Sequence, residues 1–298
     1  MITFQDLTLH DRELITSYTY PSNNRNCDFS FSNLCSWRFL YNTRYAIVDD
    51  FLVFKFTAGD TVAFMMPVGE GNYRKVILRL MENAKSENHP FCILGCPEDM
   101  KNKLEHEMPG MFHFESEREY ADYIYLRESL VTLSGKKLQS KRNHINKFKK
   151  EYGYEYLPIT PDNVDECLRL EAEWCKVNNC DEQEGTGNER RAIEYALKNF
   201  EALGLTGGML CIMGKIVAFT FGTPINKDTF GIHVEKADTS IDGTYPMINN
   251  EFAKRIPEQY MYINREEDLG IEGLRKAKLS YNPAIILEKY SVQLKSEL

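Results

Sequence analysis

Residues 207–237 read GGMLCIMGKIVAFTFGTPINKDTFGIHVEKA. Three runs rich in β-branched and aromatic residues are separated only by Met213-Gly214-Lys215 and Asn226-Lys227-Asp228. Connections this short join antiparallel neighbours, because a parallel return needs a crossover of roughly a dozen residues or more. Such a crossover comes next. YPMINNEFAKRI (245–256) has helical character with Pro246 in its first turn, and it leads to the strand-like YMYIN (260–264). Two helical stretches, 161–178 and 188–204, come before the meander, the second stopped by Gly204. A meander closed by a strand–helix–strand crossover makes a mixed, largely antiparallel sheet.

The first half of the chain has the same order. AIVDDFLVFKF (46–56) is an apolar–turn–apolar hairpin around Asp49-Asp50, and TVAFMMPV (61–68) supplies a third strand. YRKVILRLMENAKSEN (73–88) puts Val76, Ile77, Leu80 and Met81 on one helical face. PFCILGC (90–96) is strand-like, PEDMKNKLEHEM (97–108) helical, and DYIYLRES (122–129) strand-like again. A chain of 298 residues suits two domains of roughly 150 residues each. The expectation is therefore an α/β chain with two copies of one unit, residues 1–133 and 153–298, joined by a connecting helix at 134–152.

Composition narrows the class. The chain is 43% hydrophobic and 27% charged, as soluble globular proteins are. No stretch approaches the roughly 18 unbroken apolar residues of a membrane span, and MITFQDLTLHDRE lacks the basic start and apolar core of a signal peptide. A cytoplasmic protein is expected. Cys27, Cys35, Cys92, Cys96, Cys167, Cys175, Cys180 and Cys211 are scattered, which suits reduced thiols. Cys92 and Cys96 lie in an apolar run with no second pair to match, so no metal centre is expected.

Net charge is −8, unevenly placed. Residues 129–150 hold seven bases and no acid, between halves that are both acidic. In SGKKLQSKRNHINKFKKEY (134–152), Leu138, Ile145, Phe148 and Tyr152 form one apolar stripe. Lys136, Lys137, Lys141, Arg142, Lys147, Lys149 and Lys150 cover the other faces. With no acid within 129–150 these charges repel unless a partner neutralises them. The segment is either a solvated connector or an anion-binding element, with Lys141, Arg142 and Lys147 as candidate contacts.

Three further places carry candidate chemistry. In DTFGIHVEKA, strand alternation sets Phe230, Ile232 and Val234 on one face and Gly231, His233 and Glu235 on the other. That His–Glu pair either holds the sheet or works as an acid–base or substrate-orienting couple. TSIDGTYPMINNEF (239–252) joins a glycine loop to a helix N-terminus, a place suited to anions, with Gly243, Thr244, Tyr245 and Met247 as cofactor-binding candidates. YINREEDLGIEGLRKAKLSYNP (262–283) delivers Asn264, Arg265, Glu266, Glu267 and Asp268 to a strand end, then turns back through Gly270 and Gly273. Cations there suit a phosphate or a developing oxyanion.

The segments 122–152, 230–256 and 262–283 resemble the soluble bacterial proteins related to the C-terminal domain of lysylphosphatidylglycerol synthases. Resemblance to that family implies tandem GNAT-like folds and kinship with Fem-type transferases, which take an amino acid from aminoacyl-tRNA. It also implies a K-x-x-aromatic motif whose lysine contacts the donor; Lys278-Leu-Ser-Tyr281 has that spacing. An acyl or aminoacyl transferase is expected, acting on an amine, a hydroxyl or a lipid headgroup. Lys278, Arg265, Glu235 and His233 are its catalytic candidates, and Asn264 and Tyr281 its substrate contacts. Two other readings stay open: a coenzyme A-dependent N-acyltransferase using acyl-CoA at the 240–247 loop, and a non-catalytic ligand-binding module. Trp37 and Arg38 are placed on the N-terminal side of the cleft.

Overall fold

A computed structural model describes residues 1–178 and 184–295. Its strands form two sheets. The first takes β1 (Gln5–Asp6), β2 (Arg44–Val48), β3 (Phe51–Ala58), β4 (Thr61–Phe64), β5 (Val68–Gly69), β6 (Cys92–Pro97) and β7 (Phe112–Ser116). The second takes β8 (Asp122–Leu126), β9 (Tyr154–Pro158), β10 (Thr206–Ile212), β11 (Lys215–Pro224), β12 (Thr229–Ala237), β13 (Tyr262–Asn264) and β14 (Ile285–Leu287). The last strand, β15 (Lys289–Leu294), returns to the first sheet. The spatial orders are β1-β2-β3-β4-β6-β15-β7 and β9-β10-β11-β12-β13-β8-β14, with β5 beside β3. Position by position the two orders match.

Each unit makes one parallel step, β4 to β6 and β12 to β13, and every other described pairing is antiparallel. The tight turns are those the sequence announces. Asp49 and Asp50 both adopt positive φ (50° and 66°) between Val48 and Phe51, as a two-residue hairpin requires. Met213 and Gly214 do the same between Ile212 and Lys215. This is the two-sheet, mixed α/β architecture expected of tandem GNAT-like units.

Sheet membership does not follow the expected division at 133 and 153. β8 comes from the first part of the chain yet lies between β13 and β14, whereas β15 comes from the end and lies between β6 and β7. The two units thus exchange one strand each. The exchanged strands begin at the same place. Lys289 Nζ lies 2.8 Å from the Asp122 carboxylate, the first residue of β15 against the first of β8, and both side chains are nearly or fully buried. Asp122 also accepts from the Cys27 backbone N–H at 2.9 Å and from Asn264 Nδ2 at 2.7 Å. Lys289 reaches Glu267 at 2.7 Å and Asp28 at 3.2 Å. Each buried charge therefore has several partners, as its desolvation demands.

The helices in chain order are α1 (Arg12–Thr19), α2 (Phe31–Ser36), α3 (Arg38–Tyr41), α4 (Tyr73–Ser86), α5 (Glu98–Glu107), α6 (Arg127–Thr132), α7 (Gln139–Glu151), α8 (Val164–Asn178), α9 (Glu184–Lys198), α10 (Thr244–Arg255) and α11 (Glu272–Leu279). One apolar core runs from the first sheet through α8 and α9 to Phe219 and Phe221 on one face of the second sheet. A second core lies on that sheet's opposite face, where α10, α6 and α7 cover Phe230, Ile232 and Ala218. The basic segment is consequently a packed layer: Leu138, Ile145 and Phe148 are buried, as the stripe predicts. Among the described residues, no helix is long and apolar enough to cross a membrane. Six cysteines are free and buried; Cys175 is disulfide-bonded, which departs from uniformly reduced thiols, and Cys180 lies outside the described residues.

Removing one member of a buried pair costs about 3 to 5 kcal/mol because the other charge is stranded. Asp122→Ala should therefore lower stability by about that amount in urea denaturation; a loss below about 1 kcal/mol would show that the strand exchange does not rely on the pair. Burial, reinforced by Asp122 and Asp28 and opposed by Lys289, pushes Glu267 from 4.5 up to about 7. Between those values the folded chain holds a proton that the unfolded chain releases, so this group's contribution falls as pH rises from about 4.5 to about 7. Glu267→Gln should flatten that part of the stability–pH curve, and an unchanged slope would rule the assignment out.

Candidate functional site

β12 and β13 pair over three positions only, from Thr229 against Tyr262 to Gly231 against Asn264. β12 then continues to Ala237, while the other chain segment leaves the sheet at Arg265. One edge of β12 has no β13 partner from Ile232 onwards, beyond the carboxyl end of β13. Ligand sites in α/β sheets form at such openings.

A bulge decides which side chains reach the opening. Phe221 pairs with Val234 but Gly222 pairs with Ile232, so His233 is an extra residue in β12. The bulge reverses the alternation. Glu235 joins Phe230 and Ile232 on the α10 face, opposite Thr220, and His233 turns to the other face. The expected sharing of one face by His233 and Glu235 is thereby corrected. His233 Nδ1 lies 2.8 Å from Glu266 Oε1, and its Nε2 lies 2.8 Å from Thr223 Oγ1 and 3.0 Å from Ser30 Oγ. With its side chain 4% exposed, His233 closes a buried polar seam against α2.

Glu235 remains at the opening. Its carboxylate accepts from Arg265 Nη2 at 2.9 Å and from Asn249 Nδ2 of α10 at 3.0 Å. The Arg265 guanidinium lies 4.7 Å from the Tyr281 ring centroid and 5.6 Å from that of Tyr125. Lys141 of α7 places Nζ 4.3 Å from the same Tyr281 centroid. Burial lowers the Lys141 pKa and Arg265 lowers it further, while Glu235 acts against both. Burial raises the Tyr281 and Tyr125 hydroxyls well above their ordinary values. Arg265 Nη1 and Asn249 Oδ1 are buried with no hydrogen-bond partner of full geometry among the described residues, the Tyr281 hydroxyl lying within looser reach of the guanidinium. The site therefore holds one donor and one acceptor still to be satisfied.

Lys278 does not point into this opening. It is buried, and Nζ donates to the backbone carbonyls of Arg265 (2.6 Å) and Glu267. Those two bonds pin the 265–267 segment and leave one of the ammonium's three donors for another contact. Asn264 is fully buried, bonded to Asp122 and to the Arg25 carbonyl, so it too positions the loop. Asp268 completes that anchoring by accepting from Arg275, the Tyr123 hydroxyl and the Gly270 amide.

Of the basic helix, Lys141 alone joins the cluster. Arg142 donates to the carbonyls of Leu133 and Gly135, and Lys147 pairs with Asp242 at 2.9 Å. In the 240–247 loop, Gly243 has φ of 88°, and a Cβ there would lie 2.8 Å from the His144 carbonyl, so the backbone packs closely against α7 at that point. Thr244 and Met247 are buried, with their amides bonded to Ile241 and Gly243. Burial, with Glu235 adding to it, pushes the Tyr245 hydroxyl up to about 12 while it bonds Trp174 and the Ala237 backbone at the far end of the open edge. Arg38 turns away to the Leu7 carbonyl, and Trp37 stacks with Phe39 at 6.4 Å.

Sequence reasoning missed Asn249, Tyr125 and the Asp122–Lys289 pair. The signal for Asn249 was present: Asn249-Asn250 interrupts the buried face of a helix, and both asparagines are buried. Among the described residues, Cys27, Asp122 and Glu267 bring possible metal-ligand atoms within 4.8 Å of one another. The Lys289 ammonium already contacts both carboxylates, so this trio is balanced by a side chain.

A family model described as phosphatidylglycerol lysyltransferase, C-terminal, matches residues 20–293. A crystal structure of a conserved protein of unknown function from Bacteroides thetaiotaomicron is 68% identical, with a TM-score of 0.97 over 99% of this chain and 100% of that one. L-PGS from Bacillus licheniformis shares the fold at 15% identity and a TM-score of 0.67, over 99% of this chain and 94% of that one. FemX does so at 7% identity and a TM-score of 0.64, over 97% of each chain. An uncharacterised protein of Mycoplasmoides gallisepticum is 27% identical over 178 residues, 58% of this chain; the match spans 56% of that protein, a little over half its length.

Replacing Lys278 would free two buried carbonyls. Lys278→Met should cost about 3 kcal/mol in denaturant unfolding, whereas an unchanged midpoint would mean the ammonium is not an anchor.

Proposed function

The chain belongs to the phosphatidylglycerol lysyltransferase C-terminal family, and on that premise we propose that it transfers an aminoacyl group from aminoacyl-tRNA to a hydroxyl or amine acceptor. The observation that carries this reading is the Arg265–Glu235 pair at the open edge of β12, with Arg265 Nη1 and Asn249 Oδ1 unfilled beside it. Acyl transfer needs a donor aimed at the oxygen that becomes negative as the nucleophile attacks. Arg265 offers one, held in place by Glu235 and by the anchored loop.

In the proposed reaction the acceptor oxygen or nitrogen bonds to the ester carbonyl carbon, and Arg265 Nη1 donates to the resulting oxyanion. Collapse breaks the bond to the ribose oxygen, and the proton lost by the acceptor ends on that leaving oxygen. Glu235 accepts a hydrogen bond from the acceptor and orients it. The exposed Lys136, Lys149 and Lys150 of the basic segment support contact with an RNA backbone, which makes binding salt-sensitive. A hydroxyl acceptor accords with the phosphatidylglycerol in the family's description, and a lipid headgroup is the acceptor to test first. The coenzyme A-dependent alternative has less support, since Tyr245 occupies the far end of the open edge.

Transfer of radiolabelled amino acid from a charged tRNA pool to phosphatidylglycerol vesicles or to a set of soluble amines tests the reading. Arg265→Lys and Glu235→Gln should each lower the transfer rate by roughly a hundredfold, the usual cost of one lost oxyanion or orienting contact, measured below each variant's unfolding midpoint because altering a buried pair also lowers stability. Acetyl-CoA should support neither transfer nor a thermal shift. Wild-type protein that moves no amino acid from any charged tRNA, or variants as active as wild type, would sink the proposal.

A further inference from the structure

Charge at the opening does not balance. Glu235 carries one negative charge and faces two cations, Arg265 and Lys141. Both cations lie against one ring, Tyr281, at 4.7 and 4.3 Å from its centroid. Glu235 is committed to Arg265 and Asn249, and no carboxylate among the described residues pairs with Lys141. Other bases of the segment are settled locally, Arg142 on backbone carbonyls, Lys147 on Asp242 and Lys137 on Asn282. Lys141 is half-buried, and burial together with Arg265 works against its charge. A half-buried ammonium next to a guanidinium is costly unless an anion joins them.

We propose that Lys141, Arg265 and Tyr281 form a subsite for a phosphodiester carried by the substrate, with the monoanion lying between the Lys141 ammonium and the unfilled Arg265 Nη1. This rests on the transferase reading and adds the ligand class its site takes. One diffuse negative charge matches the single surplus positive charge, and both cations already lie against the Tyr281 ring. A phosphodiester has two sources here: the acceptor end of an RNA and the headgroup of a glycerophospholipid. Both present the same anion to the same groups.

Isothermal titration separates the sources. The probes are a CCA trinucleotide, glycerophosphoglycerol and inorganic phosphate, titrated into wild type, Lys141→Met, Lys141→Arg and the control Lys85→Met, an exposed lysine of α4 far from the basic segment in sequence. One or both phosphodiesters should bind wild type, weaken roughly tenfold or more in Lys141→Met, and bind normally to Lys141→Arg and Lys85→Met. The probe that binds more tightly than inorganic phosphate identifies the source. As a second measurement on the unaltered chain, that probe should protect Lys141 from acetylation, read by peptide mass spectrometry, while the exposed Lys85 stays reactive. No binding of either phosphodiester at millimolar concentration, equal binding by Lys141→Met, or no protection of Lys141 would overturn the subsite. The titration needs no transfer, so the two proposals fail separately. Phosphodiester binding without aminoacyl transfer removes the transferase reading alone; transfer that ignores Lys141 removes the subsite alone.

Discussion

The contact between Asp122 and Lys289 sits where the two halves of the chain trade strands. Each opens an exchanged strand, and each is buried, so both charges must find partners inside the protein. Partners come from three parts of the chain: Cys27 and Asp28, Asn264 and Glu267, and the two strand starts themselves. Such a cluster tolerates little displacement, because moving one member strands a charge in low dielectric. It ties both sheets together at one point and fixes the level at which β13 ends.

What hangs from that point is the segment 264–268. Asn264 is held by Asp122, Glu267 by Lys289, the carbonyls of Arg265 and Glu267 by Lys278, and Asp268 by Arg275 and Tyr123. Glu266 adopts φ of 60°, a left-handed backbone that a side chain avoids unless its surroundings impose it. So many constraints on five residues leave Arg265 one direction to point. Most charged groups in 262–283 therefore anchor the loop, while Arg265 faces the opening. Family membership supplies a fold and a class of reaction, while the substrates depend on the few groups left unfilled around Glu235.

Much of the architecture was legible in the chain itself. Hairpin turns at Asp49-Asp50 and Met213-Gly214 follow from residues that accept positive φ, and both crossovers follow from apolar runs of helical length between strands. The apolar stripe of 138–148 announced a packed helix, and the repeated element order announced two copies of one unit. Arg265, Glu235, Lys141 and Tyr281 were all chemical candidates: Arg265 from charge gathered at a strand end, Glu235 from alternation along its strand, Lys141 from a run of bases without acids, and Tyr281 from the family resemblance. Apart from the resemblance, these properties are local, encoded within a turn or two of the residue concerned.

Contacts across long separations were settled by the tertiary structure alone. Strand alternation gives His233 and Glu235 a common face, yet a register shift against β11 sends them to opposite faces, and no local pattern marks an inserted residue. Lys278 has the spacing of a catalytic lysine, but two of its three donors go to carbonyls 11 and 13 residues away. Asp122 and Lys289 look like any surface acid and base until the strand exchange buries them together. Sequence by itself determined the elements, their repetition and the types of chemistry present; only the folded chain decided which charges are consumed in holding it together and which remain to meet a ligand. The physical reason is that hydrogen bonds and ion pairs are used up by proximity, and proximity between distant residues is a property of the fold.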